Sequence, residues 1–281
     1  FLRRGGAAAA LLRHVRVDSA MHRVFQRLPS WSCRDHLIPT SRHWRLRLPG
    51  TFAAFVKGLS KKSREDCRRF GNRILEDFGA EVAVVPMHRS DHGEQAMRVV
   101  ENIAQRTYQR ALGAGFRDTA ETRARWQAAA DRGWLRVYVL YLGREPVAFC
   151  AGFEIAETLW LEHVGFDPAF RRYQPGGHLL QRVIEQVSDE GRVRVVDFGV
   201  GDADYKRRIC NESHEEVSVY VFAPTVKGVW LNGLRVVTAW IDRIGHAVAR
   251  RCGVLDWIRG RWRRQLTKGA SQPVAMVSSM R

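Results

Sequence analysis

Three groups of side chains between residues 158 and 206 have the types and spacings that chemistry needs. The first is the run FRRYQPGGH, which sets Arg171, Arg172, Gln174, Gly176, Gly177 and His178 just before an apolar-striped helix. A loop of this kind turns backbone N–H groups and the positive end of a helix toward whatever lies in front of it, which suits an anion. Gly176 and Gly177 allow a ligand close to the backbone, and Arg171 and Arg172 can meet phosphate oxygens. The second is the strand-like run TLWLEHVGF, with Glu162 and His163. Simple alternation there sends Leu161 and His163 to the face opposite Glu162. The third is DFGVGDADYK, which puts Asp197, Asp202, Tyr205 and Lys206 at and beyond the end of another strand. Each group also has a plainer reading. A PGG step serves as an ordinary turn, a strand-end aspartate as a helix cap, and Lys206 as the partner of Asp197 or Asp202. Their order along the chain favours a site.

The elements that must hold these groups follow from periodicity. Leu135–Leu142, Glu145–Ile155 and Thr158–Phe166 are strand-like and joined by links of hairpin length at Gly143–Arg144 and Ala156–Glu157. Leu179, Leu180, Val183, Ile184 and Val187 make one helical stripe, ended by Gly191. Arg194–Phe198 and Glu216–Phe222 are further strands. A helix between two strands of one sheet requires a crossover, so the sheet is mixed. Upstream, the spacing predicts a short helix at Ala20–Leu28, a strand at Trp44–Pro49, helices at Phe52–Leu59 (capped by Thr51) and Lys61–Phe78 (capped by Ser60), and a strand at Glu81–Val85. Helices follow at Asp91–Ala111 and Thr119–Ala130. The Lys61–Phe78 helix is strongly basic in its first half, which fits either phosphates or a solvated face. Downstream, Val229–Leu266 reads as a helix rich in Trp and Arg, with a break at Gly253. It fits an anionic lipid surface or a docked helix with a basic edge. The expected domains are 1–130, 131–225 and 226–281.

Composition narrows the partners. With 46 Lys and Arg against 29 Asp and Glu, the chain carries +17, which implies an anionic partner: nucleic acid, anionic lipid or a phosphorylated cosubstrate. No helix-turn-helix or zinc-finger pattern supports nucleic acid. The five cysteines are scattered with no CxxC spacing, so they read as free thiols of a reducing compartment, and no metal site is expected. No run of 18 apolar residues occurs, which points to a cytoplasmic protein, with peripheral attachment to the inner face of a membrane in view.

These motifs together resemble the GNAT superfamily of acyl-CoA-dependent N-acyltransferases. They are most similar to the branch named after the BioF2-like acetyltransferase domain, also described as CelD-like, which is related in fold to FemAB. The resemblance rests on LSKKSREDCRRFGNRILEDFG (59–79), YLGREPVAF (141–149), FDPAFRRYQPGGHLL (166–180) and DFGVGDADYKRR (197–208). It implies an α/β fold with a mixed, mostly antiparallel sheet flanked by helices, a partial N-terminal second copy and a C-terminal helical tail. It implies that Gln174, Gly176, Gly177 and His178 hold the pyrophosphate of an acyl-CoA. The strand at Trp160–Val164 would splay from Val195–Phe198, leaving a gap for the pantetheine and acyl group. The usual RxxGxG/A form is absent, only loosely approximated by Arg171, Arg172, Gln174 and Gly177, so an aminoacyl-tRNA donor, as in FemAB relatives, stays open. Direct transfer to an amine needs a base (Glu162 first, then Asp202 or His163), an acid toward the thiolate (Tyr205), and a phosphate or substrate contact (Lys206). The branch's association with cell-surface polysaccharides implies an amino sugar or lipid-linked amine as acceptor. A basic nucleic-acid-binding module and a non-catalytic scaffold are the alternatives.

Overall fold

The computed structural model describes residues 6–251 except 28, 89–92, 112 and 114, and the side chains of 108, 111 and 242–251 are also outside the description. The part of the expected basic tail beyond residue 251 therefore lies outside the described residues. Two compact units are formed, Ser41–Glu215 and a smaller one from Phe1–Thr40 with Glu216–Arg281. Among the described residues no helix is long and apolar enough to cross a membrane.

In chain order the elements are β1 (Ala9–Arg16), α1 (Ala20–Arg27), β2 (Thr40–Arg47), α2 (Phe52–Gly58), α3 (Lys61–Phe78) and β3 (Val82–Pro86). Then come α4 (Gly93–Arg106), α5 (Tyr108–Ala111), α6 (Ala120–Asp131), β4 (Leu135–Leu142), β5 (Glu145–Ile155) and β6 (Thr158–Phe166). The chain continues with α7 (Pro175–Glu190), β7 (Val195–Val200), α8 (Asp204–Ile209), β8 (Glu212–Phe222) and α9 (Val226–Arg251).

The larger unit is a mixed α/β sheet with strand order β2-β7-β6-β5-β4-β3. Every neighbouring pair is antiparallel except β6 and β7, which the crossover through α7 makes parallel. Helices cover both faces, so β4, one strand in from the β3 edge, is buried on both. Tyr138, Leu140 and Leu142 face a core shared with Ile74 of α3 and with Leu179, Val183 and Val187 of α7. Leu135, Val137 and Val139 face the other core, with Val100 and Ile103 of α4 and Trp126 of α6. The helix starts follow the caps in the sequence: Thr51 accepts from Ala54 N–H, Ser60 from Ser63 N–H and Thr119 from Thr122 N–H.

Three readings change, and one strand was not anticipated. Ala9–Arg16 forms β1 because it pairs with β8 from Ala9↔Phe222 to Arg16↔Glu216, and pairing overrides alanine's helical preference. The Asp91–Ala111 helix divides at Thr107, whose hydroxyl donates to Ala104 O at 2.7 Å. The stretch after β7 coils into α8 where a loop was expected. The simple alternation assumed for β6 also fails. Ala151 pairs with His163 but Gly152 with Leu161, so Glu162 is an extra residue in a bulge. Leu161 therefore packs in the α3/α7 core, whereas His163 lies on the other face against Phe116, with ring centroids 5.4 Å apart. Gly152 is required opposite this bulge, since a Cβ there would lie 1.8 Å from Trp160 O.

Candidate active site

The site is built around the start of α7, and several tethers fix that start. Asp167 caps the 3-10 turn Pro168–Tyr173 by accepting from Ala169 N–H at 2.9 Å, and Arg106 pairs with it at 2.5 Å. Tyr173 is buried and donates to Asp77 of α3 at 2.6 Å. Arg73, one turn earlier on α3, donates to Arg172 O at 3.1 Å. Gln174 then takes a left-handed conformation (φ 53°, ψ 48°) and turns the chain into α7, with Pro175 at the first helical position.

This turn leaves an open donor. The N–H groups of Gly177 and His178 both bond back to Gln174 O, at 3.0 and 3.2 Å. Gly176 N–H has no backbone partner among the described residues and stands at the positive end of α7. A Cβ on Gly177 would meet nothing within 4 Å, so packing within the chain does not require glycine there. An orphan donor beside an uncrowded glycine fits close approach by an anionic ligand.

Two cavities meet at this point. One, of about 440 Å³, lies between α3, α7 and α8 and is lined by Lys62, Asp66, Arg69, His178, Tyr205 and Arg208 among others. The second, of about 340 Å³, lies beside the end of β6 and is lined by Thr107, Val164, Phe166, Arg171, Gly176 and Tyr205 among others. Gln174, Gly177, Leu180 and Tyr205 belong to both walls. Next to them the sheet parts. The parallel pairing of β6 with β7 runs from Thr158↔Val195 to Trp160↔Asp197 and then ends, although both strands continue.

Several groups hold β7 in place where the pairing ends. Asp197 is buried and accepts from Gly199 N–H at 2.8 Å, with His43 Nε2 at 2.6 Å and Arg45 at 3.3 Å. Gly199 and Gly201 adopt φ of 65° and 107°. Lys206 is buried and donates its ammonium hydrogens to the carbonyls of Phe198, Gly199 and Val200, at 2.6, 3.3 and 2.9 Å. Burial lowers its pKa. Lys206 thus binds backbone and makes no ion pair with Asp197 or Asp202 in this arrangement.

The candidates divide accordingly. Arg171, Gln174, Gly176, Gly177, His178 and Tyr205 surround the cavities. Arg172 turns away, lying over the Tyr173 ring at 4.5 Å and pairing with Asp77 at 3.3 Å. Asp202 is exposed, and its hydrogen bonds from Arg207 hold it below the usual carboxylate range. Glu162 pairs with Arg125 at 2.8 Å, and His163 has its pKa lowered mainly by burial. Neither lines a cavity wall. Burial pushes His178 down to about 4, so its imidazole is neutral at physiological pH, and its Nε2 is buried without a hydrogen-bond partner. Cys67 lines the larger cavity, but burial raises its thiol, and Cys150 is raised by complete burial. Neither is an activated nucleophile.

Asp66 and Arg208 are additions that motif reading missed. Asp66 lies in the larger cavity's wall between Arg69 at 2.7 Å and Arg208 at 3.6 Å. The available signal was the spacing of Lys62, Asp66 and Arg69, which shares one face of α3.

Residues 61–207, more than half of the chain, match the family described as acetyltransferase (GNAT) domain. No curated protein matches. Similar solved structures include FemX, at 10% identity and TM-score 0.53, covering 78% of this chain and 73% of that one. The C-terminal domain of a putative lysylphosphatidylglycerol synthetase from Agrobacterium fabrum aligns at 9% identity and TM-score 0.53, over 83% and 75%. L-PGS from Bacillus licheniformis aligns at 12% and 0.51, over 83% and 74%. At these identities the likeness is one of fold.

Proposed function

The chain belongs to the GNAT acetyltransferase family, and we propose that it is an N-acyltransferase that takes its acyl group from an acyl-CoA by direct transfer. One observation carries the reading: the unpartnered Gly176 N–H and the open Gly177 stand where two cavities meet, beside the parting of β6 and β7. Gly176 N–H would donate to the diphosphate, and Arg171 would meet its oxygens from the smaller cavity. When bound, the thioester supplies an activated acyl carbon and a thiolate leaving group. Tyr205 is the one residue of the acid–base candidates that lines both cavities, and it delivers the proton to the departing sulfur. The acceptor amine enters the larger cavity. Asp66 orients it there as the ammonium form until one proton is lost to bulk water. The free amine then attacks the acyl carbon, the C–S bond breaks as the sulfur takes the Tyr205 proton, and the amine's second proton leaves to restore the phenol. Lys62 and Arg208 favour an acceptor that also carries negative charge. A charged amino sugar or a lipid-linked amine of the cell surface has that chemistry, in keeping with the BioF2-like resemblance.

A second reading keeps the fold and replaces the donor with an aminoacyl-tRNA. It is favoured by the loose phosphate motif and by the basic residues of α3 at the cavity, Lys62 and Arg69. Calorimetric titration with acetyl-CoA, longer acyl-CoAs and aminoacyl-tRNA, followed by an acceptor screen of amino sugars, separates the two. Saturable acyl-CoA binding, lost in Arg171→Glu, supports the first; binding of charged tRNA alone supports the second. Failure of both would leave a non-catalytic scaffold.

A further inference from the structure

Helix α9 of the smaller unit has its polarity reversed. Gly228, Asn232 and Arg235 share one face, at helical spacing, and that face is docked. A Cβ at Gly228 would lie 2.2 Å from Ala223 O. Asn232 is buried and donates to the carbonyls of Ser32 and Arg34, both at 2.9 Å. Arg235 pairs with the buried Asp35, donates to Leu37 O at 2.9 Å, and lies over the Tyr220 ring at 4.5 Å. The opposite face is apolar and exposed: Val226 at 90%, Trp230 at 63%, Leu234 at 45%, Val237 at 54% and Ile241 at 64%, with Trp240 beside them. A soluble-facing helix places its apolar stripe inward, and here the specific hydrogen bonds hold it outward. Exposed apolar stripes of this length mark interaction surfaces.

We infer that the outward face of α9 docks on an anionic lipid surface, lying in its plane. Charge complementarity selects that occupant. Apart from the Arg235–Asp35 pair on the docked face, the described residues of this unit carry Arg13, Arg16, Arg23, Arg27, Arg34 and Lys227 against only Asp18 and Glu216. Residues 242–268, next along the sequence, hold eight Lys and Arg against two Asp. Tryptophans flanked by arginines are suited to the headgroup boundary, where the ring is half-buried and the cation meets phosphate. The inference is independent of the acyl donor and of the reaction.

The test is co-sedimentation of the full chain with vesicles of phosphatidylcholine alone or with about a third phosphatidylglycerol. The expected result is binding about tenfold or more tighter on the anionic vesicles, lost by about as much in the Trp230→Ser/Trp240→Ser double variant. The circular dichroism and acyl-CoA affinity of that variant should match the wild type. Equal binding to both vesicles, no binding, or unaltered binding of the variant would overturn the inference. So would a wild-type dimer that becomes a monomer in the variant by sedimentation velocity, since a second copy would then be the occupant.

Discussion

Tyr173 donates to Asp77 across 2.6 Å, tying the turn before α7 to the far end of α3. The phenol is buried while the Asp77 carboxylate reaches solvent, and the turn's position depends on a helix almost a hundred residues upstream. Tyr173→Phe removes the tether and leaves the ring packed on Phe78. The expected cost is about 1 kcal/mol of stability by denaturant titration, with a several-fold loss of acyl-CoA affinity. Equal affinity in the variant would mean that α7 positions the turn unaided.

The two arginines of the loop should separate. Arg171 lines the smaller cavity, whereas Arg172 is committed to Asp77 and the Tyr173 ring. Arg171→Glu is expected to weaken acyl-CoA binding by about a hundredfold in calorimetry, through loss of a charge-assisted contact and the added repulsion. Arg172→Glu places a carboxylate beside Asp77, so its main effect should be a lowered melting temperature.

Two glycines predict opposite outcomes. Gly177→Ala meets no atom within 4 Å and has a helical backbone, so the melting temperature should hold or rise slightly while acyl-CoA affinity falls. Gly152→Ala would drive its methyl into the backbone of β6 and should cost several kcal/mol, seen as insoluble or partly unfolded protein.

Acid should destabilise the fold through a histidine outside the cavities. His88 Nδ1 accepts from Val137 N–H at 3.2 Å, and burial pushes its pKa down to about 4 from an ordinary 6.5. The unfolded chain then takes up the proton first. Stability is full above 6.5 and falls as pH drops from there toward 4. His178 shifts in the same direction, also to about 4. Urea midpoints measured across that range should slope downward into acid. His88→Asn, which keeps an acceptor for Val137 N–H, should flatten part of the slope.

Much of the scaffold was legible because local chemistry and tertiary structure agree. Thr51, Ser60 and Thr119 announce helices, and β4 to β6 follow one another through two-residue links. The turn into α7 was legible through Pro175, Gly176 and Gly177, which no long element tolerates except at its start. What escaped depended on partners distant in sequence. Alanines at 9 and 10 carry no strand signal, and only Phe222 and Val221 opposite them supply one. Lys206 reads as a phosphate ligand until three carbonyls surround it. Asp66 lies in a basic helix that looks solvated until α7 and α8 close over it. The extra residue at Glu162 leaves no mark in the alternation of apolar types, since Leu161 and Val164 are both apolar whichever parity is assumed.

That extra residue acts as a phase shift along β6. Ahead of it the odd-numbered Leu159 and Leu161 serve the α3/α7 core; behind it the even-numbered Val164 and Phe166 do. Removing Glu162 would let Leu161 and His163 follow in simple alternation, with Val164 and Phe166 still turned to the α3/α7 core and His163 and Gly165 away from it. β6 is therefore one residue longer than its pairing needs, and what the added length sets is where Glu162 itself projects and how sharply the strand twists opposite Gly152.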